Sequence, residues 1–328
     1  MLILSSKLLL LTGAGFTKNF DGFLASEMWA KIFNNPVVQK TEKIRKLLLE
    51  DFDFESVYAS VTASSVFTDE DKRSFQNAVS EAYKKLDDNV RGWVFNDSNP
   101  TALNKYGLGE LLNLFNGIDA ARGMFFTLNQ DLFIERHFQH RAPGAPPFPG
   151  DVYNLFGKEF GVSDFITLPL DDVASKVEGS ISGHGGMVYI KLHGSYGWRS
   201  SDGRNQMVLG HDKEGEILRE PLLRYYLELF KNAIADGGKR LLVIGYGFRD
   251  QHINKILTDG VNKHGLKLII ITPSSISDFR RSIINGHFYA KGMLDGLTGY
   301  FPYTLREIFP PNQNRTTYFE EIRDALLS

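Results

Sequence analysis

The chain has 328 residues, of which 42% are hydrophobic and 23% charged, a composition typical of soluble globular proteins. Its 37 basic and 39 acidic residues give a net charge of -2, which excludes a general electrostatic attraction to nucleic acid. It contains no cysteine, which excludes disulfides, thiol nucleophiles and cysteine-ligated zinc. The N-terminal apolar run lacks a basic flank, and no apolar stretch reaches about 18 residues, so we expect a cytoplasmic protein without membrane contact.

Short apolar runs bounded by turn residues predict buried β-strands. These runs are Lys7–Thr12, Met124–Thr127, Met187–Leu192, Arg240–Ile244 and Leu266–Ile271. Continuous apolar runs of this kind suit a parallel sheet that is covered on both faces.

Helical periodicity separates these runs, in residues 26–35, in residues 41–61 and in residues 221–238, where Gly237 and Gly238 predict the helix stop. The alternation of strand and helix predicts an α/β fold with a doubly wound, Rossmann-like parallel sheet.

One domain is expected over residues 1–328, with the Rossmann-like core at residues 1–20 and 121–328. Residues from 21 to about 120 lack a strand pattern and predict a helical subdomain inserted after the first strand. Residues 139–186 are rich in proline and glycine and predict an irregular connection.

The sequence LLLLTGAGFTKNF runs from the first predicted strand into Gly13 and Gly15. Glycines at these positions let backbone amides approach a pyrophosphate, and the N-terminus of a following helix favours the anion. The third glycine of the dinucleotide fingerprint is absent, because Lys18 stands in its place. A tight strand-to-helix turn without a ligand is therefore the alternative.

The sequence FFTLNQDLFIERHF places Asn129 and Asp131 directly after the second predicted strand. Ligands of open parallel sheets bind beyond the carboxyl ends of the strands, so both side chains should lie at the crevice that Gly13 and Gly15 border. The alternative for Asp131 is to cap the following helix.

Two further strand ends carry chemical signals. In YIKLHGSYGW, His193 follows a strand and precedes Gly194, where a histidine can face an open pocket and act as a base. A structural histidine is the alternative. In LLVIGYGFRDQHIN, a strand ends in Gly245 and Gly247, and Asp250 is a candidate cap for the next helix.

The order G-A-G-x-T, T-x-N-x-D, L-H-G and a strand that ends in G-x-G resembles the sirtuin (silent information regulator) family. The sequence is most similar to the sirtuin-like NAD hydrolases of bacterial antiphage defence, and the similarity runs from about Leu8 to Thr272.

The resemblance implies that NAD is the substrate and that no metal is needed. It implies three catalytic residues: Asn129, which positions water or ribose hydroxyls, Asp131, which binds the carboxamide, and His193, which accepts a proton. It also implies eight residues that bind NAD, namely Gly13, Ala14, Gly15, Thr17, Thr127, Gly245, Gly247 and Thr272.

The sequence departs from ordinary sirtuins in two ways, of which the first disfavours a deacylase of the usual build and the second concerns how nicotinamide is held. The four-cysteine zinc module is absent, and DGFLASEMW replaces the proline-aspartate-phenylalanine-arginine run that follows the glycine loop in sirtuins.

Three functions follow from these observations. The first is an NAD hydrolase that releases nicotinamide and ADP-ribose in gated antiphage defence. For this function the resemblance implies a homo-oligomer and a partner such as a HerA-type ATPase or another sensor, with no membrane or direct nucleic-acid contact. The second is an NAD-dependent protein deacylase or ADP-ribosyltransferase, and the third is a non-catalytic regulatory subunit that binds NAD or ADP-ribose.

Overall fold

The fold is centred on one parallel sheet. The structure, a computed structural model, describes residues 7–93, 103–116, 123–137, 152–154, 166–167, 170–181, 187–200, 205–210, 212–286, 290–313 and 315–328. Its strands are β1 (Leu8–Thr12), β2 (Met124–Thr127), β3 (Val152–Asn154), β4 (Ile166–Thr167), β5 (Met187–Lys191), β6 (Gly194–Arg199), β7 (Asn205–Met207), β8 (Arg240–Ile244), β9 (Lys267–Ile271) and β10 (Leu297–Phe301). Seven strands form the parallel sheet in the order β10-β9-β8-β1-β2-β5-β3, and β4, β6 and β7 form a small second sheet.

The helices cover both faces of the large sheet. They are α1 (Ala14–Thr17), α2 (Ala25–Phe33), α3 (Pro36–Lys40), α4 (Glu42–Glu50), α5 (Phe54–Ala63), α6 (Asp69–Gly92), α7 (Lys105–Asn113), α8 (Phe133–His137), α9 (Val173–Ile181), α10 (Lys213–Arg219), α11 (Pro221–Ala235), α12 (Gln251–His264), α13 (Ile276–Gly286), α14 (Ala290–Met293), α15 (Leu305–Ile308) and α16 (Thr317–Leu327). Within the described ranges, no helix combines the length and the apolarity that a membrane crossing requires.

The predicted α/β fold with a Rossmann-like parallel sheet is confirmed. All five predicted strands occur, and each boundary lies within one residue of its predicted position. The sheet gains two strands that the sequence did not predict, β3 and β10, one at each edge. Most of the predicted irregular connection at 139–186 lies outside the described residues.

The described residues between β1 and β2 contain helices α1 to α7 and no strand. The single helical pattern predicted over residues 41–61 is divided in the structure into α4 and α5. The reason is local, because the Asp53 carboxylate accepts a hydrogen bond from the backbone N–H of Glu55 and starts a new helix there.

Alternate residues of the central strands enter two hydrophobic cores. Leu10 and Phe125 pack with the helices that follow β1, whereas Leu11, Phe126 and Val243 pack with α11 and α12 on the opposite face. This arrangement explains the continuous apolar runs in the sequence, since both faces of each strand are buried.

Candidate active site

The last residues of five neighbouring strands lie in register. Thr12 at the end of β1 pairs with Thr127 of β2 on one side and with Ile244 of β8 on the other. In the same way Thr127 pairs with Lys191 of β5, and Ile244 pairs with Ile271 of β9. From β1 the chain proceeds to β2 and β5 on one side and later returns to β8 and β9 on the other, so the sheet reverses its order at this point. Ligands of doubly wound sheets bind at such a reversal.

The two glycine loops meet beside the end of β1. Gly15 N donates to Gly245 O at 2.9 Å, and a Cβ added to Gly13 would lie 2.8 Å from the same oxygen. Gly245 has a φ of +64°, and a Cβ there would lie 2.2 Å from the backbone nitrogen of Phe16. The glycines are therefore required by the close contact of the two loops. The helix after the first loop, α1, is only four residues long.

Asn129 is half-buried beyond the end of β2 and is bonded to the glycine loop. Its Nδ2 donates to Gly13 O at 3.0 Å and to Thr17 Oγ1 at 2.7 Å. The carbonyl of Gly13 can only accept, which fixes the orientation of the amide. Both protons of Nδ2 are used in these two bonds, so the group that Asn129 offers a ligand is its carbonyl oxygen Oδ1.

Asp131 is buried and stabilises the same loop. Its Oδ1 accepts from the backbone N–H of Phe133 at 2.9 Å, and the Thr17 hydroxyl hydrogen-bonds to its carboxylate. The first bond holds the start of α8, as the capping alternative expected. Burial raises the pKa of Asp131, and the charge of Lys191 opposes that increase. Asn129, Thr17 and Asp131 thus form one connected chain of hydrogen bonds.

A buried ion pair contacts the backbone of this loop. Lys191 Nζ lies 2.9 Å from Glu135 Oε1 and also donates to the backbone carbonyl of Asp131. Both charged side chains are 1% exposed. Removing either partner alone would leave a buried charge uncompensated, a change that typically destabilises a protein by about 3–5 kcal/mol.

Gln130 connects the Asn129 loop to the segment of His193. Its Nε2 donates to Val208 O at 2.8 Å and to His193 O at 3.3 Å, and its Oε1 accepts from the Tyr83 hydroxyl. Asn129 and His193 therefore lie at the same edge of the sheet, with backbones that are linked through the residue after Asn129.

The His193 side chain pairs with a second histidine. The Nε2 atoms of His193 and His252 lie 3.0 Å apart, and His252 is in the first turn of α12. The imidazole of His193 is 3% exposed, whereas the sequence had suggested a side chain that faces an open pocket. Burial lowers the pKa of His193 to about 3, against the opposing charge of Asp250. Burial also lowers the pKa of His252.

Asp250 and Lys213 act on the histidine pair, and Glu55 joins them through Lys213. Lys213 Nζ lies 2.8 Å from Asp250 Oδ1 and 2.7 Å from Glu55 Oε2. Asp250 occupies the N-cap position of α12, as predicted, but its carboxylate makes no capping bond and is held by Lys213 instead. Burial raises the pKa of Asp250, but its electrostatic interactions with His193 and Lys213 and the hydrogen bond from Lys213 outweigh burial and lower the value to about 2.

The other predicted ligand-binding residues occupy different positions along the edge. Thr127 is buried, and its hydroxyl accepts from Thr12 Oγ1 at 2.8 Å and from Asn129 N at 3.1 Å. Ala14 and Gly247 are exposed at the two loops, and Thr272 is half-buried after β9, where its backbone N–H donates to Phe301 O at 3.2 Å.

Sequence reasoning missed His252, Lys213 and Glu55. His252 stands in the quoted sequence LLVIGYGFRDQHIN, two residues after Asp250, so an acid and an imidazole near a glycine turn were the available signal. Glu55 and Lys213 have no such signal, because they lie on α5 and α10 and meet only in the folded chain.

The fold and the edge define a class: a Rossmann-like α/β protein whose polar side chains gather at the carboxyl ends of its parallel strands. The model of the SIR2-like domain family matches residues 123–288, about half of the chain, and the chain belongs to that family. The resemblance to sirtuins is thereby confirmed, and membership indicates an NAD-related activity. A search of curated proteins returns no match. Among the described residues, no three histidine, cysteine, aspartate or glutamate side chains are grouped as metal ligands.

Proposed function

We propose that the protein is an NAD hydrolase that cleaves NAD to nicotinamide and ADP-ribose, and that it serves gated antiphage defence by depleting NAD. The observation that carries the proposal is Asn129, a half-buried amide at the carboxyl edge whose two Nδ2 bonds leave Oδ1 for a ligand. Membership in the SIR2-like family supports NAD as that ligand.

The chemistry requires charge stabilisation and one proton acceptor. The bond between ribose C1′ and the nicotinamide nitrogen breaks with its electron pair going to the ring, and positive charge develops on the ribose. Asn129 Oδ1 holds the water or the ribose hydroxyls against this charge. The oxygen of water bonds to C1′, and its proton passes to His193. Asp131 holds the Asn129 amide through Thr17 and binds the carboxamide.

The loops at the ends of β1, β8 and β9 bind the rest of NAD. Gly13 to Gly15 and Gly245 to Gly247 contact the pyrophosphate, and Thr272 lies near the adenosine. This remote binding energy holds the reacting carbon in place without taking part in the bond cleavage.

The burial of His193 supports a gated activity. At 3% exposure, its imidazole meets a ribose only after neighbouring segments move. An enzyme that depletes NAD harms its own cell unless it is inactive at rest, and a closed site meets this need. Assembly controls this activity in our proposal: the site opens when a homo-oligomer forms and binds a HerA-type ATPase or another sensor.

The test is mass-spectrometric analysis of nucleotides after the protein is incubated with NAD, alone and with the product of the neighbouring gene. Nicotinamide and ADP-ribose should appear together in equal amounts. We expect Asn129→Ala to lower the rate by about 100-fold, the scale for loss of a positioned polar group. The control is Asn262→Ala, an exposed position on α12, which should retain the parent rate.

Other outcomes identify the alternatives. If acylated peptide is needed and O-acyl-ADP-ribose forms, the protein is a deacylase. Binding of NAD without turnover, with every partner present, would identify a regulatory subunit. An Asn129→Ala variant that consumes NAD at the parent rate would show that the site is assigned wrongly.

A further inference from the structure

The histidine pair constrains where protons lie. At 3.0 Å, one Nε2 of His193 and His252 must carry a hydrogen and the other must offer a lone pair, because two hydrogens or two lone pairs would repel. Both rings are buried, with exposures of 3% and 8%. The pair therefore shares one proton in a site from which most water is excluded.

The pair adjoins a cluster of three charged side chains with one excess negative charge. The charged groups that act on the pair come from three elements and comprise Lys213 and Glu214 of α10, Lys231 of α11 and, before α12, Asp250. Glu55 of α5 adjoins this set through its ion pair with Lys213. Lys213 lies between two carboxylates, so this trio carries one excess negative charge. A single imidazolium beside it would restore neutrality. Burial lowers the pKa of both histidines and the charge of Lys213 lowers it further, whereas the charge of Asp250 raises it.

Backbone contacts hold the pair in relation to the candidate active site. Gln130, the residue after Asn129, bonds to the carbonyl of His193. On the other side, the Tyr246 hydroxyl accepts from Asp250 N at 3.2 Å and donates to Asn254 Oδ1 at 3.1 Å. These bonds fix the start of α12, and hence His252, against the turn at the end of β8.

We propose that His252 is a positioning residue that acts through His193 as the second member of a proton relay. When His193 takes the proton of the attacking water at Nδ1, its own Nε2 proton passes to His252 Nε2. One O–H bond and one N–H bond break, two N–H bonds form, and the resulting imidazolium lies beside Asp250. The proposal rests on the proposed hydrolase function, since it requires a proton released by the reaction.

The kinetic test compares the pH dependence of NAD hydrolysis in variants of the full chain under activating conditions. His252→Gln can still accept a hydrogen bond from His193 but cannot take its proton, so we expect kcat to fall by about 100-fold with KM within about 2-fold. Asp250→Asn removes the charge that favours the imidazolium and should move the acid limb of kcat/KM to lower pH. If Asp250 only packed against its neighbours, the acid limb of kcat/KM would stay at the pH of the parent.

The matched controls lie on the same helix. His264→Gln and Asp259→Asn change the same residue types away from the pair and should leave the profile unchanged. If His252→Gln turns over NAD at the parent rate, the relay is wrong while the hydrolase stands. If the parent itself hydrolyses no NAD with any partner, the proposed function fails and the relay fails with it.

A second measurement reports the protonation of the histidine pair without relying on activity. Side-chain ¹⁵N chemical shifts of the histidines report which ring nitrogens carry protons in the folded parent. The expected result is one protonated and one unprotonated Nε2 in the pair at pH 7. Two unprotonated Nε2 atoms would overturn the relay even if every His252 variant failed to fold.

Discussion

At the scale of single residues, the hydrogen-bond partners of a side chain determine what it can offer a substrate. Asn129 commits both amide protons to Gly13 and Thr17, so only an acceptor remains. Asp131 commits one oxygen to the start of α8 and meets the Thr17 hydroxyl. Thr17 is buried and hydrogen-bonds to both side chains, so the position of each depends on the other.

The burial of His193 should lower the free energy of unfolding at acidic pH. Its pKa falls from an ordinary 6.5 when unfolded to about 3 when folded, so between these values the unfolded chain binds one more proton. The free energy of unfolding should therefore decrease as pH falls through this window, by about 1.4 kcal/mol per pH unit for this residue. We expect His193→Gln to reduce the slope by that amount.

Urea denaturation of the parent and of His193→Gln at several pH values between 6.5 and 5 measures this slope. Carboxylates that titrate in the same range are common to both proteins and cancel in the difference. His252 contributes in the same direction, because its pKa is also lowered, so the variant should retain part of the dependence. Identical slopes would mean that His193 is protonated in the folded protein or accessible to solvent.

The sequence placed the candidate site residues that follow strong strand patterns and did not reveal the side chains that depend on distant contacts. Asn129, Asp131 and His193 stand within four residues of the ends of strands that sequence alone predicts. The exposure of His193 was not predictable, because the ring that covers it comes from α12, 59 positions later. The role of Glu55 was not predictable either, because Glu55 meets its partner Lys213 only in the folded chain.

At the scale of secondary-structure elements, the contact of two turns determines the shape of the edge. The turn after β1 and the turn after β8 approach so closely that a Cβ at Gly245 would lie 2.2 Å from Phe16 N. This contact aligns two loops that would both face the pyrophosphate of NAD. The glycines in the sequence predicted that backbone amides can approach a ligand closely. In the structure the same glycines also let the two turns contact each other through their backbones.

Gly245→Ala should therefore destabilise the protein more than its backbone angle alone requires. A left-handed alanine costs about 1–2 kcal/mol, and the overlap with Phe16 adds to that cost. Gly265→Ala is the matched control, because its φ of +66° is nearly the same and nothing lies within 4 Å of the added Cβ. Urea denaturation should show the larger loss for Gly245→Ala, and NAD affinity should fall only in that variant. Equal losses would mean that the two turns are not in contact.

The elements that sequence failed to predict are weak in pattern for physical reasons. Strand β10, with the sequence LTGYF, lies at an edge of the sheet, is only partly buried and contains Gly299, so it lacks a continuous apolar run. Strand β3 has three residues at the opposite edge. Central strands are covered on both faces and leave a clear signal, whereas edge strands do not.

At the scale of the whole molecule, the part that matches the SIR2-like family does not form the sheet alone. The match begins at residue 123, yet β1 lies between β2 and β8 in the middle of the sheet. The strand that leads into Gly13 and Gly15 therefore joins the two halves of the matched region. The helices after β1 also reach the edge, through Glu55 of α5.

The Glu55–Lys213–Asp250 contact ties these helices to the second half of the chain. The side chains are 23%, 19% and 12% exposed, so water screens their charges only in part. The negative charges of Asp250 and Glu55 raise the pKa of Lys213 against the effect of burial, so the lysine remains charged. One cation thus holds three elements together, α5, α10 and the start of α12, next to the histidine pair.

Removing that cation should loosen the whole arrangement. In Lys213→Met the carboxylates of Glu55 and Asp250 face each other without compensation, so we expect the free energy of unfolding to fall by about 2–4 kcal/mol. Glu55→Gln should cost less, since the bond between Lys213 and Asp250 survives. Lys263→Met is the control, because its pair with Asp259 is well exposed and should contribute less than about 1 kcal/mol. Urea denaturation measures all three, and hydrogen exchange should show faster opening of α5 and α10 in Lys213→Met alone. If Lys213→Met is as stable as the Lys263→Met control, the helices after β1 are held to the site by packing and not by this charge.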